Sequence, residues 1–428
     1  MRRLFIGGSL CLLLFSCHQS PKKLISSVFI DSLVSNYAPS ANTIAADSNL
    51  VFWQKRLYSD PENFVNGPEY AIALQSAFRL HGNIYDLLKA DSLVRCSNEA
   101  NQYKEPGLFR SLASLALLQH KFREADTLLQ KAIAIDGKSY ANTFLDFDIA
   151  FEDGQLVRAK ELLNSLKNGN KYGYLFRRSK YEHYDGELDT AIACMLGAAK
   201  ESAGNKYLEQ SALSNAADLY IHKGDLATAR SLYIQCIKND ASDLHSITGL
   251  GWIALVNDKN DSLATKVFQF VQAHTKAPDP LLKLEQAAEA GTDSSLIVRY
   301  AQSFVQAATN PVYGRMYNKY LIDIYTTVLH QPAKALALAE EELNNRPTPQ
   351  VYAWLAWSLF CNNEKEKASN IFTEYVSGKP LEGPELYYMG KLMQGLNKGY
   401  NAEQFFKAAY KNRYDLSPAK AEELEKMM

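Results

Sequence analysis

The sequence predicts an all-α fold in which helical hairpins stack into a solenoid. Three observations carry this prediction: an alanine recurs at a nearly constant spacing, packing residues follow it at helical intervals, and glycines precede several of the alanines. The chain has 428 residues, of which 47% are hydrophobic and 22% charged, a composition typical of a folded globular protein. Its formal net charge of −1, without a run of Lys or Arg, argues against a nucleic-acid-binding protein.

The first residues have the pattern of an export signal. Arg2 and Arg3 precede an apolar run over residues 4–15. A cationic start followed by about a dozen apolar residues is typical of a secretory signal peptide. The run is shorter than the roughly 20 residues that a membrane-spanning helix needs. We therefore interpret residues 1–16 as a signal peptide.

The end of this run resembles a bacterial lipobox. Leu14 and Ser16 stand three and one positions before Cys17, with Phe15 between them at a position where the motif usually has a smaller residue. The resemblance implies that Cys17 becomes the lipid-modified N-terminus and anchors the protein to an envelope membrane. We expect the outer membrane on its periplasmic side, with the cell surface as the alternative. Residues 17–48 are polar and are predicted to form a tether, with room for one short helix around residues 24–34.

A repeat of about 34 residues organises the rest of the chain. Its marker alanine recurs in steps of 32 to 38 residues, apart from one double step of 71 that spans a degenerate unit near Gly291. The markers are Ala125, Ala159, Ala191, Ala229, Ala264, Ala335, Ala368 and Ala402. In most units a bulky residue follows the alanine by four positions and a further packing residue by seven, which places all three on one helical face.

This pattern resembles the tetratricopeptide repeat, over residues 49–416 and in about ten helical hairpins. The resemblance implies a right-handed superhelical solenoid whose first helices line the concave wall. One hairpin is too small to bury its own apolar face, so neighbouring hairpins must stabilise each other. Residues 417–428 are predicted to form a C-terminal capping helix, because Ser417 and Pro418 suit the N-cap and the first helical position.

The residues offer little catalytic chemistry, so we expect no enzyme, no cofactor and no metal. Asp146 and Asp148 are two residues apart on a predicted helix and therefore point in different directions. Residues 249–254 faintly resemble a dinucleotide-binding glycine motif, but they lie inside a helix and follow no strand. The four cysteines downstream of Cys17 are interpreted as separate thiols, with one bridge between Cys194 and Cys236 left open.

The concave wall is the predicted binding site. The resemblance places on it several large aromatic residues, which are common anchors at protein interfaces. The alternative is that these side chains pack between helices of a tight superhelix. The predicted groove residues are Phe144, Phe151, Phe176, Lys180, Trp252, Tyr320, Trp357 and Tyr387.

These features predict a membrane-anchored scaffold lipoprotein that binds a protein or peptide partner in the bacterial cell envelope. Family analogy suggests a part in envelope assembly or secretion. The alternative is a nutrient-capture lipoprotein similar to the helical SusD-like glycan binders, whose aromatic platforms would stack on sugars. Short, regular connections between the predicted helices favour the scaffold. A hydrolase on the convex face is a third hypothesis, and metal-dependent turnover would reveal it.

Overall fold

The computed structural model describes residues 23–202 and 204–428. The predicted signal peptide and the predicted lipid site at Cys17 lie outside these ranges. Within them the chain forms 23 α-helices and no strand. No helix in the described part combines the length and apolar character needed to cross a membrane.

Two helices, α1 (Ser27–Ser35) and α2 (Ala41–Ser59), precede ten successive hairpins. The hairpins are α3 (Asn66–His81) with α4 (Ile84–Ala100), α5 (Pro106–Leu118) with α6 (Phe122–Asp136), α7 (Tyr140–Glu152) with α8 (Leu156–Leu166), α9 (Lys171–Tyr184) with α10 (Leu188–Glu201), α11 (Lys206–Lys223) with α12 (Leu226–Asn239), α13 (Leu244–Val256) with α14 (Asp261–His274), α15 (Asp279–Ala290) with α16 (Ser294–Ala308), α17 (Asn318–Thr327) with α18 (Pro332–Asn345), α19 (Pro349–Cys361) with α20 (Lys365–Ile371), and α21 (Gly383–Gly395) with α22 (Gly399–Lys411). A π-helical turn (Phe372–Val376) continues α20, 3-10 turns lie at Pro311–Tyr313 and Arg413–Asp415, and α23 (Pro418–Met427) ends the chain.

The marker alanines explain how the hairpins pack. Each is the fourth residue of the second helix in its hairpin, and none is more than 4% exposed. A small side chain at this point lets the paired helices approach closely. In α16 the same position holds Ile297, which is only half-buried, and this accounts for the degenerate unit. The prediction of an all-α solenoid of the tetratricopeptide type is confirmed.

Every hairpin turn contains one residue with left-handed backbone geometry. Glycine adopts this conformation without strain, whereas other residues do so at a cost. Four turns use glycine and six use another residue, so glycine spacing alone reveals only part of the repeat. The turn residues are Gly82, His120, Gly154, Gly186, Gly224, Lys259, Thr292, His330, Asn363 and Asn397, with φ between 50° and 87°.

The stretch predicted to be a tether, residues 17–48, is folded from its first described residue onward. Ile25 and Ile30 are buried in a core shared with α13 and α14. The Asp258 carboxylate accepts hydrogen bonds from the backbone N–H groups of Leu24 and Ile25, both at 2.7 Å. The short helix expected around residues 24–34 is present as α1. The rest of the described stretch differs from a tether, because its few apolar residues pack on the array and α2 already begins at Ala41.

The solenoid curls until distant hairpins touch. The His81 carbonyl accepts a hydrogen bond from Lys276 N at 2.8 Å, and the His120 carbonyl accepts one from Asn345 Nδ2 at 2.9 Å. The second of these contacts joins residues 225 positions apart in the chain. The first helices are therefore wrapped around a concave interior.

Replacing Gly82 by alanine tests this contact between successive superhelical turns. A Cβ at Gly82 would lie 2.7 Å from Thr275 Oγ1 and 2.8 Å from Ala277, whereas a Cβ at Gly186 would meet nothing within 4 Å. Both residues have positive φ, so in both variants an alanine must adopt left-handed backbone geometry, which costs about 1–2 kcal/mol. We expect Gly82→Ala to be destabilised by about 1–3 kcal/mol more than Gly186→Ala in chemical denaturation. Equal losses in the two variants would show that the turns do not pack against each other.

Candidate functional site: a two-compartment lumen

The concave side of the curled solenoid contains a partly open cavity of about 810 Å³, which we call the larger compartment. Its wall comes mainly from the first helices of six consecutive hairpins, α11, α13, α15, α17, α19 and α21. This is the placement that the repeat resemblance implied for a concave wall. The volume falls in the range of pockets that bind small ligands.

A second cavity of about 670 Å³, the smaller compartment, adjoins the first. Five residues line both cavities and form the partition between them: His222, Lys319, Trp354, Glu382 and Asp415. Two ion pairs cross this partition, His222 Nδ1 to Asp415 at 2.6 Å and Lys319 Nζ to Glu382 at 3.3 Å. The two compartments together form one lumen.

The eight predicted groove residues separate into three groups. The larger compartment is lined by Trp252, Tyr320 and Trp357. The smaller compartment is lined by Phe151 and Lys180. Neither compartment is lined by Phe144, Phe176 or Tyr387.

The three remaining residues have packing environments instead. Phe144 lies under the Arg177 guanidinium, whose centre is 4.2 Å from the ring centroid. Phe176 packs against the core formed by α10, α11 and Cys236 of α12. Tyr387 is buried, and its hydroxyl donates a hydrogen bond to Glu423 of α23. The helical position of a residue in the repeat therefore does not by itself determine which side chains reach the lumen.

The tryptophans of the lumen present covered rings. Trp252, Trp354 and Trp357 are each at most 8% exposed, and a cation or another ring lies close to each. The neighbouring groups are Lys283 Nζ at 3.7 Å from the Trp252 ring, Lys319 Nζ at 5.7 Å from the Trp354 ring, and the Tyr388 ring stacked at 4.8 Å on Trp357. Tyr320 is the exception among the predicted residues, because 39% of it is exposed.

A charged pair occupies the α11–α13 side of the larger compartment. His245 Nε2 lies 3.0 Å from Asp218 Oδ2, and the Tyr233 hydroxyl donates to Asp218 Oδ1 at 2.5 Å. The Asp218 carboxylate raises the pKa of His245 to about 9 against the opposing effect of burial. This imidazole is therefore protonated at neutral pH, and the pair is ionic.

Lys319 joins the partition to the core of α19 and α21. Its Nζ lies 3.3 Å from Glu385 Oε1 as well as from Glu382, and Trp354 Nε1 donates to Glu385 Oε1 at 2.7 Å. Burial disfavours the ammonium, but the two glutamates outweigh this effect and hold the pKa of Lys319 above its ordinary value. Since Glu385 is fully buried, the positive charge of Lys319 offsets the loss of hydration of its carboxylate.

Lys283 is held differently. Its Nζ donates to Gln286 Oε1 at 3.1 Å and rests on the Trp252 ring, and no carboxylate of the described residues lies within ion-pair distance. The Trp252 ring is fixed in turn, because its Nε1 donates to the Tyr414 carbonyl at 2.9 Å. Burial lowers the pKa of Lys283 to about 8.

Three carboxylates gather where α15 and α17 meet α23. Glu285 and Glu289 are one turn apart on α15 and face Asp323 of α17; we call these three residues the acidic seat. Lys420 of α23 enters it, with Nζ 2.8 Å from Asp323 Oδ2. Burial first, and then the neighbouring carboxylates, raise the pKa of Glu285 to about 9, and burial also raises the pKa of Glu289.

Other residues that the sequence singled out have structural roles. Asp146 pairs with Arg158 and Asp148 pairs with Arg177, so the two carboxylates serve separate ion pairs. Cys194 and Cys236 are buried free thiols, so the bridge that the sequence left open is absent. Gly249 and Gly251 serve helix packing: a Cβ at Gly251 would lie 2.7 Å from the Phe268 ring.

Sequence reasoning missed most of the charged residues of the lumen. Lys283 and Asp323 occupy ordinary positions on predicted helices, and nothing in their local pattern distinguishes them from surface residues. Lys420 lies in the predicted capping helix, which the repeat period does not place against any particular hairpin. The weak available signal was their position on first helices, which the repeat resemblance assigns to the concave wall.

Solved structures similar to this chain share little sequence with it. No family model matches the chain, and no curated protein matches it significantly. Similar solved structures include yeast Tom70, with 12% identity over 94% of this chain and 96% of that chain and a TM-score of 0.35. A tetratricopeptide repeat protein from Parabacteroides merdae has 13% identity over 60% and 99% of the two chains and a TM-score of 0.35. Pseudomonas aeruginosa pilF has 13% identity over 50% and 97%, with a TM-score of 0.37.

Proposed function

We propose that this chain is a scaffold lipoprotein of the bacterial envelope that binds a segment of a partner protein in its lumen. The observation that carries the proposal is the lumen itself, which is lined by first helices of the repeat and divided into two adjoining compartments. Its wall alternates aromatic rings with ion pairs. An extended segment with both apolar and polar side chains matches such a wall better than a purely apolar ligand does.

The binding of glycans is less well supported. Sugar recognition by aromatic platforms needs an open ring face, and the three tryptophans of the lumen have neighbours against their rings. Tyr320 is the one exposed aromatic residue among the predicted groove residues, with 39% of it accessible. We therefore favour the protein or peptide partner, with Tyr320 as its exposed contact, and infer a binding rather than a catalytic role.

The anchor is the second part of the proposal. The lipobox-like residues around Cys17 support lipidation, which places the protein at an envelope membrane, facing the periplasm or the cell surface. Lys23, the first described residue, follows Cys17 by six positions. Six residues span at most about 20 Å, so a lipid on Cys17 would hold the folded array close to the membrane surface.

Cross-linking in cells with mass spectrometry of the captured proteins tests both parts. We expect Tyr320→Ala to reduce capture of one or a few envelope proteins at least severalfold, because the variant removes the exposed ring inside the lumen. Tyr58→Ala is the matched control, since Tyr58 is 72% exposed on α2 and lies outside both compartments. Cys17→Ala is expected to leave the membrane fraction.

Three results would contradict the proposal. If Tyr320→Ala and Tyr58→Ala retain the same proteins, the lumen is not the binding site. If the wild type captures no protein and binds sugars instead, the glycan alternative replaces the scaffold. If Cys17→Ala stays in the membrane fraction and the wild type takes up no acyl label, the anchor is wrong.

A further inference from the structure

The end of the chain occupies the concave side of its own solenoid. The C-terminal segment, residues 413–427, contacts first helices of several hairpins rather than only its neighbour α22. Its contacts include the Tyr414 carbonyl with Trp252, Asp415 with His222, and Lys420 with Asp323. Residues from Tyr414 to Lys420 thereby form part of the wall of the larger compartment. This segment lies where a bound partner segment would lie.

The fit of the C-terminal segment to the acidic seat is incomplete. Glu285 is only 3% exposed, yet its Oε1 has no hydrogen-bond partner in the described part of the chain, and the same holds for Glu289 Oε2. Ser417 Oγ, at the start of α23, is buried and lies near enough to Glu289 to lower the pKa of that carboxyl, although the two do not form an ideal hydrogen bond. Buried polar atoms normally have partners, so the two glutamate oxygens show hydrogen-bonding capacity that the segment leaves unused.

The C-terminal segment also gives the seat only one cation. The seat contains three carboxyl groups, and the ammonium of Lys420 contacts Asp323 alone within ion-pair distance, so its attraction does not offset the burial that raises the pKa of Glu285. A guanidinium has five N–H donors and binds carboxylates in pairs, and a second ammonium would add three donors. A side chain of either kind would meet the free oxygens of Glu285 and Glu289.

We propose that the acidic seat is a binding subsite for a lysine or arginine side chain of the partner, and that Lys420 occupies it in the free protein as an internal substitute. The proposal rests on the proposed function, because it assigns a chemistry to the partner segment. Binding of the partner displaces α23 from the seat.

The test asks whether the seat accepts a cation from solution when its own lysine is removed. Lys420→Ala removes the ammonium and leaves space, whereas Lys420→Met removes the ammonium and fills the space. Both full-length variants are melted with and without n-butylammonium chloride, with sodium chloride at the same ionic strength as reference. At ten times its dissociation constant, the amine should raise the Tm of Lys420→Ala by about 1–2 °C for a chain of this size.

Three controls define the expected pattern. Lys420→Met should not respond, because its side chain blocks the seat. Lys426→Ala, which removes a lysine from the exposed side of the same helix, should not respond either. The double variant Lys420→Ala with Asp323→Asn should respond less than Lys420→Ala, because the carboxylate that holds the cation is gone. If Lys420→Ala does not fold, Lys420→Gln, which is shorter and uncharged, replaces it in the same comparison.

An equal response of Lys420→Ala and Lys420→Met, or no response of Lys420→Ala beyond that to sodium chloride, would overturn the subsite. The measurement uses no partner, so its failure is distinct from that of the proposed function. If n-butylammonium stabilises Lys420→Ala but no protein is captured in cells, the subsite proposal stands and the scaffold proposal is refuted. If a protein is captured but n-butylammonium does not stabilise Lys420→Ala, the scaffold proposal stands and the subsite proposal is refuted.

Discussion

Lys319→Met is expected to lower the free energy of unfolding by about 3 kcal/mol, among the largest losses for a single change in this lumen. The variant keeps most of the volume of the side chain and removes its charge. The fully buried carboxylate of Glu385 then retains the Trp354 indole as donor but loses its cation, and Glu382 at the partition loses its partner. A buried carboxylate without a counter-charge is costly because the interior does not solvate it.

Chemical denaturation of the full chain at neutral pH measures this loss. Lys367→Met is the matched control, because Lys367 also pairs with a glutamate, Glu364, but its side chain is 71% exposed. Exposed pairs contribute little, so the control should unfold nearly as the wild type does. Adding Glu385→Gln to Lys319→Met should recover part of the loss, since it removes the unpaired charge. Indistinguishable unfolding of Lys319→Met and Lys367→Met would show that the partition ion pair does not stabilise the fold.

Glu285→Gln is expected to stabilise the protein, and the gain should grow with pH. The pKa of Glu285 is raised from 4.5 to about 9, with burial as the main cause and with Glu289 and Asp323 adding to it against the attraction of Lys420. A carboxyl group whose pKa is higher in the folded state binds its proton more tightly there. The stability that the protonated Glu285 contributes to the folded state is therefore fully present below about pH 4.5 and is lost progressively as the pH rises towards 9. Glutamine stays neutral and removes this loss.

Thermal or denaturant unfolding at pH 5 and at pH 8 measures the difference. At pH 8 we expect Glu285→Gln to exceed the wild type by about 2 kcal/mol, and at pH 5 by much less. Glu364→Gln is expected to change stability in the opposite direction. Lys367 and Asn362 lower the pKa of Glu364, so glutamine there removes a favourable charge and should destabilise the protein. A gain for Glu285→Gln that is the same at both pH values would mean that Glu285 does not titrate in this window.

Much of the fold was predictable because the repeat appears in the sequence as a regular spacing of small and bulky residues. Eight of the ten hairpins contain a marker alanine, and the burial of these alanines follows directly from the face on which the helical period places them. The degenerate unit was also visible, because Ile297 replaces the alanine. The turns were harder to predict: His120, Lys259 and Asn363 adopt the geometry that glycine adopts at Gly154. Several residue types can adopt left-handed geometry at these turns, so a single sequence does not identify every turn by a glycine.

The candidate site was predictable only in outline. Trp252, Tyr320 and Trp357 reach the larger compartment, in keeping with the wall position that the repeat resemblance gave them. Phe144 and Phe176 have comparable positions in their own hairpins but pack between helices. The difference depends on how far the solenoid curls, which is set by many small contacts between hairpins and by no single motif.

The sequence by itself therefore determined the helices, the hairpin period and the helical face that each repeat buries, because these depend on residues within a few turns of one another. Only the tertiary structure decided that the array closes, through contacts such as that of His120 with Asn345, 225 positions away. It also decided that residues 413–427 enter the lumen and bring Lys420 to Asp323. Long-range contacts of this kind depend on the summed rotation from each hairpin to the next, which no local pattern encodes.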